Sequence, residues 1–220
     1  MRKIHTVEFH DNACKKCPRL SNHLKETREL FKRYRCLPVP SFGAPNPAVL
    51  IVGLAPGLHG ANATGRPFTG DHAGKLLYST LFKYGFSNRP VSLDDKDGLK
   101  LYNCRIVNAV KCLPPKNKPT TAEIINCNRF LDAEISSLKS GSVLIALGKI
   151  AHDAVLRTQD LPLSRCAFAH GEEHILEERK LLLLDSYHCS RYNTQTKRLT
   201  VDMFDDIFRR ARLASWERLR

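Results

Sequence analysis

The sequence predicts an α/β fold, a parallel sheet covered by helices on both faces. Three observations carry that prediction. Four short, strongly apolar runs, at residues 49–54, 102–107, 143–147 and 181–184, read as strands buried on both sides. Between them lie segments whose apolar residues recur at helical spacing. Two chemically unusual loops, Gly53-Leu54-Ala55-Pro56-Gly57 and His188-Cys189-Ser190-Arg191, each leave one of these runs. They therefore fall at the sheet edge where open α/β folds bind ligands.

Residues 1–47 are polar and cysteine-bearing, with a helical pattern over residues 20–34 and a proline-rich exit, Leu37-Pro38-Val39-Pro40. From Val49 the pattern becomes strand, loop and helix, repeated. Leu77, Leu81 and Tyr84 fall at helical spacing after Asp71. Thr120-Thr121-Ala122-Glu123 is a capping box, after which Ile124, Cys127, Leu131, Ile135 and Leu138 share one face. Residues 149–156 read as a short helix after Gly148. A last helix begins near Asp202 and turns Phe204, Ile207, Phe208 and Ala211 inward. Its arginines 209, 210 and 212 lie towards the C-terminal end, where positive charge suits the helix dipole.

With 220 residues, 42% of them hydrophobic, the chain can bury a sizeable core. No apolar stretch approaches the roughly 20 residues of a membrane span. Met1-Arg2-Lys3 is basic but is followed by Glu8, His10 and Asp11 rather than the apolar run of a secretory leader. A soluble, intracellular protein is expected. Lys and Arg number 35 against 22 Asp and Glu, a formal charge of +13, which favours an anionic partner such as nucleic acid.

Eight cysteines without a leader point to metal ligation rather than disulfides. Cys14-Lys15-Lys16-Cys17 is one pair, and Cys112 with Cys127, fourteen residues between them, is a second. Four thiolates suit zinc or an iron–sulfur cluster, although the long gap between the pairs matches neither a compact zinc finger nor a ferredoxin run. Cys36, Cys104, Cys166 and Cys189 have no such pairing and read as structural, with Cys189 placed in the candidate site by its neighbours.

The first loop continues as Gly65-Arg66-Pro67-Phe68-Thr69-Gly70-Asp71. Glycines let backbone approach a ligand closely. Phe68 could stack on a flat base, and Asp71 could orient water, stabilise a cation or cap the following helix. A phosphate loop is excluded: in Gly70-Asp71-His72-Ala73-Gly74-Lys75-Leu76 the glycines are one residue too close and Leu76 stands where magnesium needs Ser or Thr. The dinucleotide fingerprint is absent after the first strand, and a zinc deaminase would need an HxE partner that Cys14-x-x-Cys17 lacks. His170-Gly171-Glu172-Glu173-His174 reads as a solvated loop. In the second loop, Ser190, Arg191, Tyr192, Asn193 and Thr194 offer hydroxyls and an arginine to a phosphate backbone.

Three ordered motifs, GLAPG with GRPFTGD, NAVKCLPP at residues 108–115 and HCSRYNTQTKRLT at residues 188–200, together with the cysteine tetrad, resemble the uracil-DNA glycosylase superfamily. More narrowly they resemble its family 5, or type b, enzymes; Ala55 stands where family 4 enzymes typically carry Glu. The position after the histidine, often Pro in related families, is Cys189 here. The resemblance implies a single glycosylase-like domain over residues 1–220. It further implies three α/β/α layers around a four-stranded parallel sheet, with a 4Fe–4S cluster on Cys14, Cys17, Cys112 and Cys127 tethering the N-terminal segment.

The activity implied is hydrolysis of the N-glycosidic bond of uracil, hypoxanthine or xanthine in DNA, by a monomer with no membrane partner. Asp71 would position water and support the cationic sugar, His188 would donate to O2 of the leaving base, and Asn117 is a secondary catalytic candidate. Phe68 would stack on the base, Asn108 would read its edge, and Gly53, Ala55 and Gly57 would line the pocket. Ser190, Arg191, Tyr192 and Asn193 would meet the duplex. The competing readings are a narrow, family 4 type uracil enzyme and a non-catalytic cluster-bearing DNA-binding protein.

Overall fold

A computed structural model describes residues 9–217. The basic start at Met1-Arg2-Lys3, read above against a leader, lies outside the described residues. The chain runs α1 (Pro18–Leu30), β1 (Phe42–Gly43), β2 (Val49–Gly53), α2 (Ala61–Thr64), α3 (His72–Lys83) and β3 (Cys104–Asn108). It continues with α4 (Thr121–Ser136), β4 (Val143–Leu147), α5 (Lys149–Thr158), β5 (Glu173–Leu176), β6 (Leu181–Ser186), α6 (Arg191–Gln195) and α7 (Val201–Glu217). Among the described residues, no helix is long and apolar enough to cross a membrane.

The four strands expected from sequence form the centre of the sheet, but the sheet is not four-stranded and parallel. Among the described residues it has six strands in the order β1-β3-β2-β4-β6-β5. The inner four are parallel, and β1 and β5 add antiparallel edges. Neither edge carries the apolar run of a doubly buried strand. Phe42–Gly43 is two residues long, and Glu173–Leu176 exposes Glu173 and Ile175. An antiparallel edge strand needs only one buried face, so its sequence resembles a loop.

Strand alternation divides the core. Val49, Ile51, Ile106, Val143, Ile145 and Leu184 face α3 and α7, where Leu77, Leu81, Phe204 and Phe208 pack on them. Leu50, Val52, Val107, Leu144 and Leu183 face α4 and α5, against Leu131, Ile135, Ala154 and Val155. The result is helices on both faces of one sheet. The capping box at Thr120 and Glu123 is formed as expected. On the α4 side Arg105 reaches the fully buried Glu134, with Nη1 2.6 Å from Oε2. That charge is tolerated because it is paired.

The chain leaves β2 towards β3 on one side and leaves β4 towards β6 on the other. The order reverses between β2 and β4, so a crevice opens beyond their C-terminal ends. The helix expected over residues 20–34 stops at Leu30, and α1 instead begins with Pro18 directly after Cys17. Pro at a first helical position loses no hydrogen bond.

Candidate active site

A cleft of about 640 Å³ lies at this crevice. It brings together loops from three strands: Ala55 and Gly57 after β2, Asn108 at the end of β3, and His188 after β6. Phe68 and Asp71 also line it. The two loops that the sequence singled out therefore meet in one site.

Asp71 has two roles in one carboxylate. Its backbone is extended at the N-cap of α3, and Oδ1 accepts from the Gly74 N–H at 2.8 Å. Oδ2 faces the glycine loop: a Cβ on Gly60 would sit 2.6 Å from it, and one on Gly57 3.7 Å away. Glycine at position 60 thus permits the carboxylate its place. Burial pushes the Asp71 pKa up, opposed by the Gly74 hydrogen bond.

Phe68 is held in left-handed backbone, φ 54°, and is 6% exposed. Gly74 permits this, since a Cβ there would lie 1.8 Å from the Phe68 carbonyl oxygen. The loop is anchored from outside the site. Arg66 Nη1 pairs with Asp97 at 2.8 Å, Thr69 Oγ1 meets Ser92 Oγ at 2.7 Å, and the Tyr78 hydroxyl donates to the Pro67 carbonyl at 2.8 Å. Burial alone would raise the Asp97 pKa, but the Arg66 guanidinium and two backbone N–H donors bring it to about 2.

His188 is half-buried at the cleft and stacks on Phe68, with centroids 5.9 Å apart and planes 26° from parallel. Among the described residues, no group hydrogen-bonds its imidazole, and burial lowers its pKa to about 4. The ring is neutral at physiological pH. Asn108 is 3% exposed and its Oδ1 is buried without a partner among the described residues. Gly53, opposite Asn108 in the β2–β3 register, lies beneath both: a Cβ there would come 2.5 Å from Asn108 Oδ1 and 2.7 Å from the Phe68 ring.

Other candidates occupy the rim. Asn117 lines the cleft from an exposed 3-10 turn, Pro115–Asn117. Ser190 caps α6 by accepting from the Asn193 N–H at 3.3 Å, and Arg191 is exposed at the cleft edge. Tyr192 is 70% exposed outside the cleft lining. Asn193 is committed to the protein, its Nδ2 donating to the His188 carbonyl at 2.8 Å. Cys189 is not in the site. It is fully buried in the core, and burial drives its thiol pKa far up. The sequence reading missed His59 and His72, which also line the cleft. Position alone could have flagged them, one between Gly57 and Gly60 and the other next to Asp71.

Comparison with known proteins agrees with this architecture. The family described as the Uracil DNA glycosylase superfamily matches residues 40–212. The chain belongs to that superfamily. A type-5 uracil-DNA glycosylase from Thermus thermophilus is 44% identical over 205 residues, covering 91% of this chain and 93% of the relative. One from Pyrobaculum aerophilum is 40% identical over 203 residues, covering 90% and 87%. A type-4 uracil-DNA glycosylase from the same archaeon matches less of the chain, 35% identical over 157 residues, covering 71% and 64%. Within the uracil-DNA glycosylase superfamily the resemblance is therefore to the type-5 branch.

This glycosylase-family chain also gathers its cysteine tetrad. Cys14, Cys17, Cys112 and Cys127 pack together with Leu20, Val110 and Phe130 beneath α1. Three sulfurs face N–H donors: Lys111 N is 3.3 Å from Cys127, Asn126 Nδ2 3.8 Å from Cys17, and Arg129 Nη2 3.8 Å from Cys14. Burial pushes the Cys112 thiol up to about 12.

The segment read as a solvated loop is partly strand. His174, on β5, places Nε2 3.1 Å from Asp185, and His152 on α5 places Nδ1 2.8 Å from the same carboxylate. The His152 Nε2 is 3.0 Å from the Cys166 carbonyl, which only accepts. Acceptors at both nitrogens favour the protonated ring of His152. Burial opposes this, but Asp185 outweighs it and keeps the His152 pKa raised.

Proposed function

We propose that the chain is a DNA glycosylase that hydrolyses the bond between uracil and deoxyribose after the nucleotide has flipped out of the duplex. The observation that carries this reading is Asn108, which lines the same cleft as Asp71 and His188 and whose buried Oδ1 has no partner among the described residues. Leaving such an atom unsatisfied costs about 1–3 kcal/mol, which a bound ligand can recover. The N3–H of uracil is a matching donor. Cytosine presents a lone pair at that position and is rejected. The N1–H of hypoxanthine and of xanthine matches as well, and the small Ala55 leaves room at the cleft wall, so the substrate range extends to deaminated purines.

Flipping costs a few kcal/mol of unstacking, least at a mispaired base. Bond cleavage leaves the electron pair on the base and positive charge on the sugar. Asp71, as the carboxylate, supports that cation and takes a proton as water oxygen bonds to C1′. General-base assistance of this kind contributes about 10²–10⁴-fold. His188, already neutral, donates an N–H to O2 of the departing uracil anion without adding a full charge. Phe68 packs on the base, and Ser190 and Arg191 meet phosphates at the rim. Tyr192, exposed beside them, fills the space the base vacates.

The cysteine set fits a 4Fe–4S cluster better than one zinc ion. Tetrahedral zinc–thiolate bonds of about 2.3 Å put sulfurs roughly 3.8 Å apart. Among the described residues, the group of three or more ligand-type side chains gathered within 4.8 Å is His152, His174 and Asp185, not the cysteines. Thiolates on different irons sit farther apart, and the N–H donors suit cluster sulfurs. Cys14 and Cys17 would then be joined through the cluster to Cys112 and Cys127. Bound there, such a cluster would play a structural part, with Cys14 and Cys17 holding the N-terminal segment to Cys112 after β3 and Cys127 on α4.

Single-turnover base release from duplexes carrying uracil or hypoxanthine tests the reading. Abasic product from both is expected. Tight binding without release from either overturns the enzyme in favour of a DNA-binding protein.

A further inference from the structure

We infer that the turn Lys32-Arg33-Tyr34-Arg35, docked on His59, is a second wall of DNA contacts that grips phosphates flanking the flipped nucleotide. This rests on the DNA glycosylase reading and extends it to a surface that none of the site motifs includes.

The turn is built rigidly against the cleft. The Phe31 N–H donates to Thr27 at the end of α1, and the Tyr34 N–H donates to Phe31, both at 2.9 Å. The Phe31 and Tyr34 rings stack at 4.7 Å and 12°, and each meets His59 edge-on. The Tyr34 hydroxyl lies 2.8 Å from His59 Nδ1. The Arg35 and Cys36 N–H groups donate to Ala63 and Asn62, each at 3.1 Å, while Arg28 Nη2 donates to the Cys36 carbonyl at 2.7 Å. His59 itself lines the cleft. The turn and the glycine-rich loop are therefore one body.

From that base Lys32 and Arg33 stand exposed, and Arg35, also exposed, lays its side chain over Gly65. No carboxylate among the described residues lies within ion-pairing distance of any of them. Three unpaired cations on one turn repel one another. A polyanion relieves that repulsion, and DNA presents phosphates at closely spaced intervals. The aromatic base fixes the backbone of the turn relative to the cleft mouth, so contact orders only the side chains. The cleft lining that begins at His59 reaches Arg191, so basic residues stand at both parts of the rim.

The test measures affinity of the full chain for a uracil-containing duplex across a range of salt. Wild type is compared with Lys32→Ala/Arg33→Ala and with Lys139→Ala/Lys180→Ala. The control pair is exposed before β4 and β6, at the opposite sheet edge from the cleft, and removes the same charge. The turn variant is expected to bind roughly tenfold more weakly and to lose about 2 from the slope of log K against log salt, about one per phosphate contact. The control keeps the wild-type slope. A turn variant with wild-type slope, or a control that loses as much, overturns the wall. Binding is read whether or not base is released, so a wild type that binds but frees no uracil overturns the glycosylase reading and leaves the wall to be judged by its slope.

Discussion

His72 Nε2 lies 3.0 Å from Thr194 Oγ1, and this contact joins the helix capped by Asp71 to the helix that follows His188. The Thr194 hydroxyl has a single proton and lies 3.0 Å from the Arg191 carbonyl. It also lies 3.2 Å from the Ser190 carbonyl, and a proton donated to either carbonyl leaves the oxygen free to accept from His72. Two halves of the site, 122 residues apart in sequence, are braced side chain to side chain. His72→Ala is expected to slow single-turnover uracil release about tenfold, and adding Thr194→Val should cost nothing further. Full additivity in that double-mutant cycle would show the contact to be incidental.

Asp71→Asn separates the capping role of this residue from its chemistry. Asn caps helices about as well as Asp, so the amide keeps the Gly74 hydrogen bond and stability should change by only a few tenths of a kcal/mol. Base release should fall by about 10²–10⁴-fold. Asp71→Ala should lose the rate and also about 1 kcal/mol of stability. Equal rates for wild type and Asp71→Asn would remove the carboxylate from the mechanism.

The pH profile should lack an inflection at the ordinary histidine value. With its pKa near 4, His188 stays neutral through 6.5. Activity should fall on the acid side as Asp71 protonates, above the ordinary aspartate value of 3.8 because burial raises it. For stability the sign is definite. Between about 4 and 6.5 the unfolded chain protonates this histidine and the folded chain does not, so stability drops as pH falls. The loss attributable to His188 is on the order of 3 kcal/mol. Unfolding curves of wild type and His188→Asn across that window measure it as a difference, and parallel curves would contradict the buried neutral ring.

Gly53→Ala adds one methyl against Asn108 Oδ1 and the Phe68 ring. Because Gly53 is in a central strand, the neighbours rather than the backbone must move. Uracil release should drop through weaker binding, seen as a raised KM, with the Asp71 carboxylate in place. A variant with wild-type KM would mean that neither side chain sets the base pocket.

Cys112→Ser should remove one ligand of the proposed cluster. Iron content and visible absorption of the purified protein are expected to fall together. Proteolysis should then reach residues 14–30, whose packing depends on the tetrad. Unchanged iron and unchanged protection would dissociate Cys112 from metal.

The inner strands were legible because a doubly buried strand is mostly apolar, as in Val143–Leu147 and in the first four residues of Leu181–Ser186. The capping box at Thr120 was legible because its hydrogen bonds span three residues. The edge strands were not, since Glu173–Leu176 is defined by pairing with Leu181–Leu184 rather than by its own pattern. Sequence position suggested that Cys189 belongs to the site beside His188, yet its side chain points into the core.

Local sequence determined the strands, the helix caps, the permissive glycines and the types of residue available for chemistry. Each of these depends on neighbours a few positions away. Tertiary structure alone decided that Asn108 keeps a buried unpaired acceptor, that His188 is neutral, and that Tyr34 fixes His59 at the cleft mouth. Desolvation and hydrogen-bond satisfaction are set by whatever the fold packs around an atom, and those atoms come from distant parts of the chain.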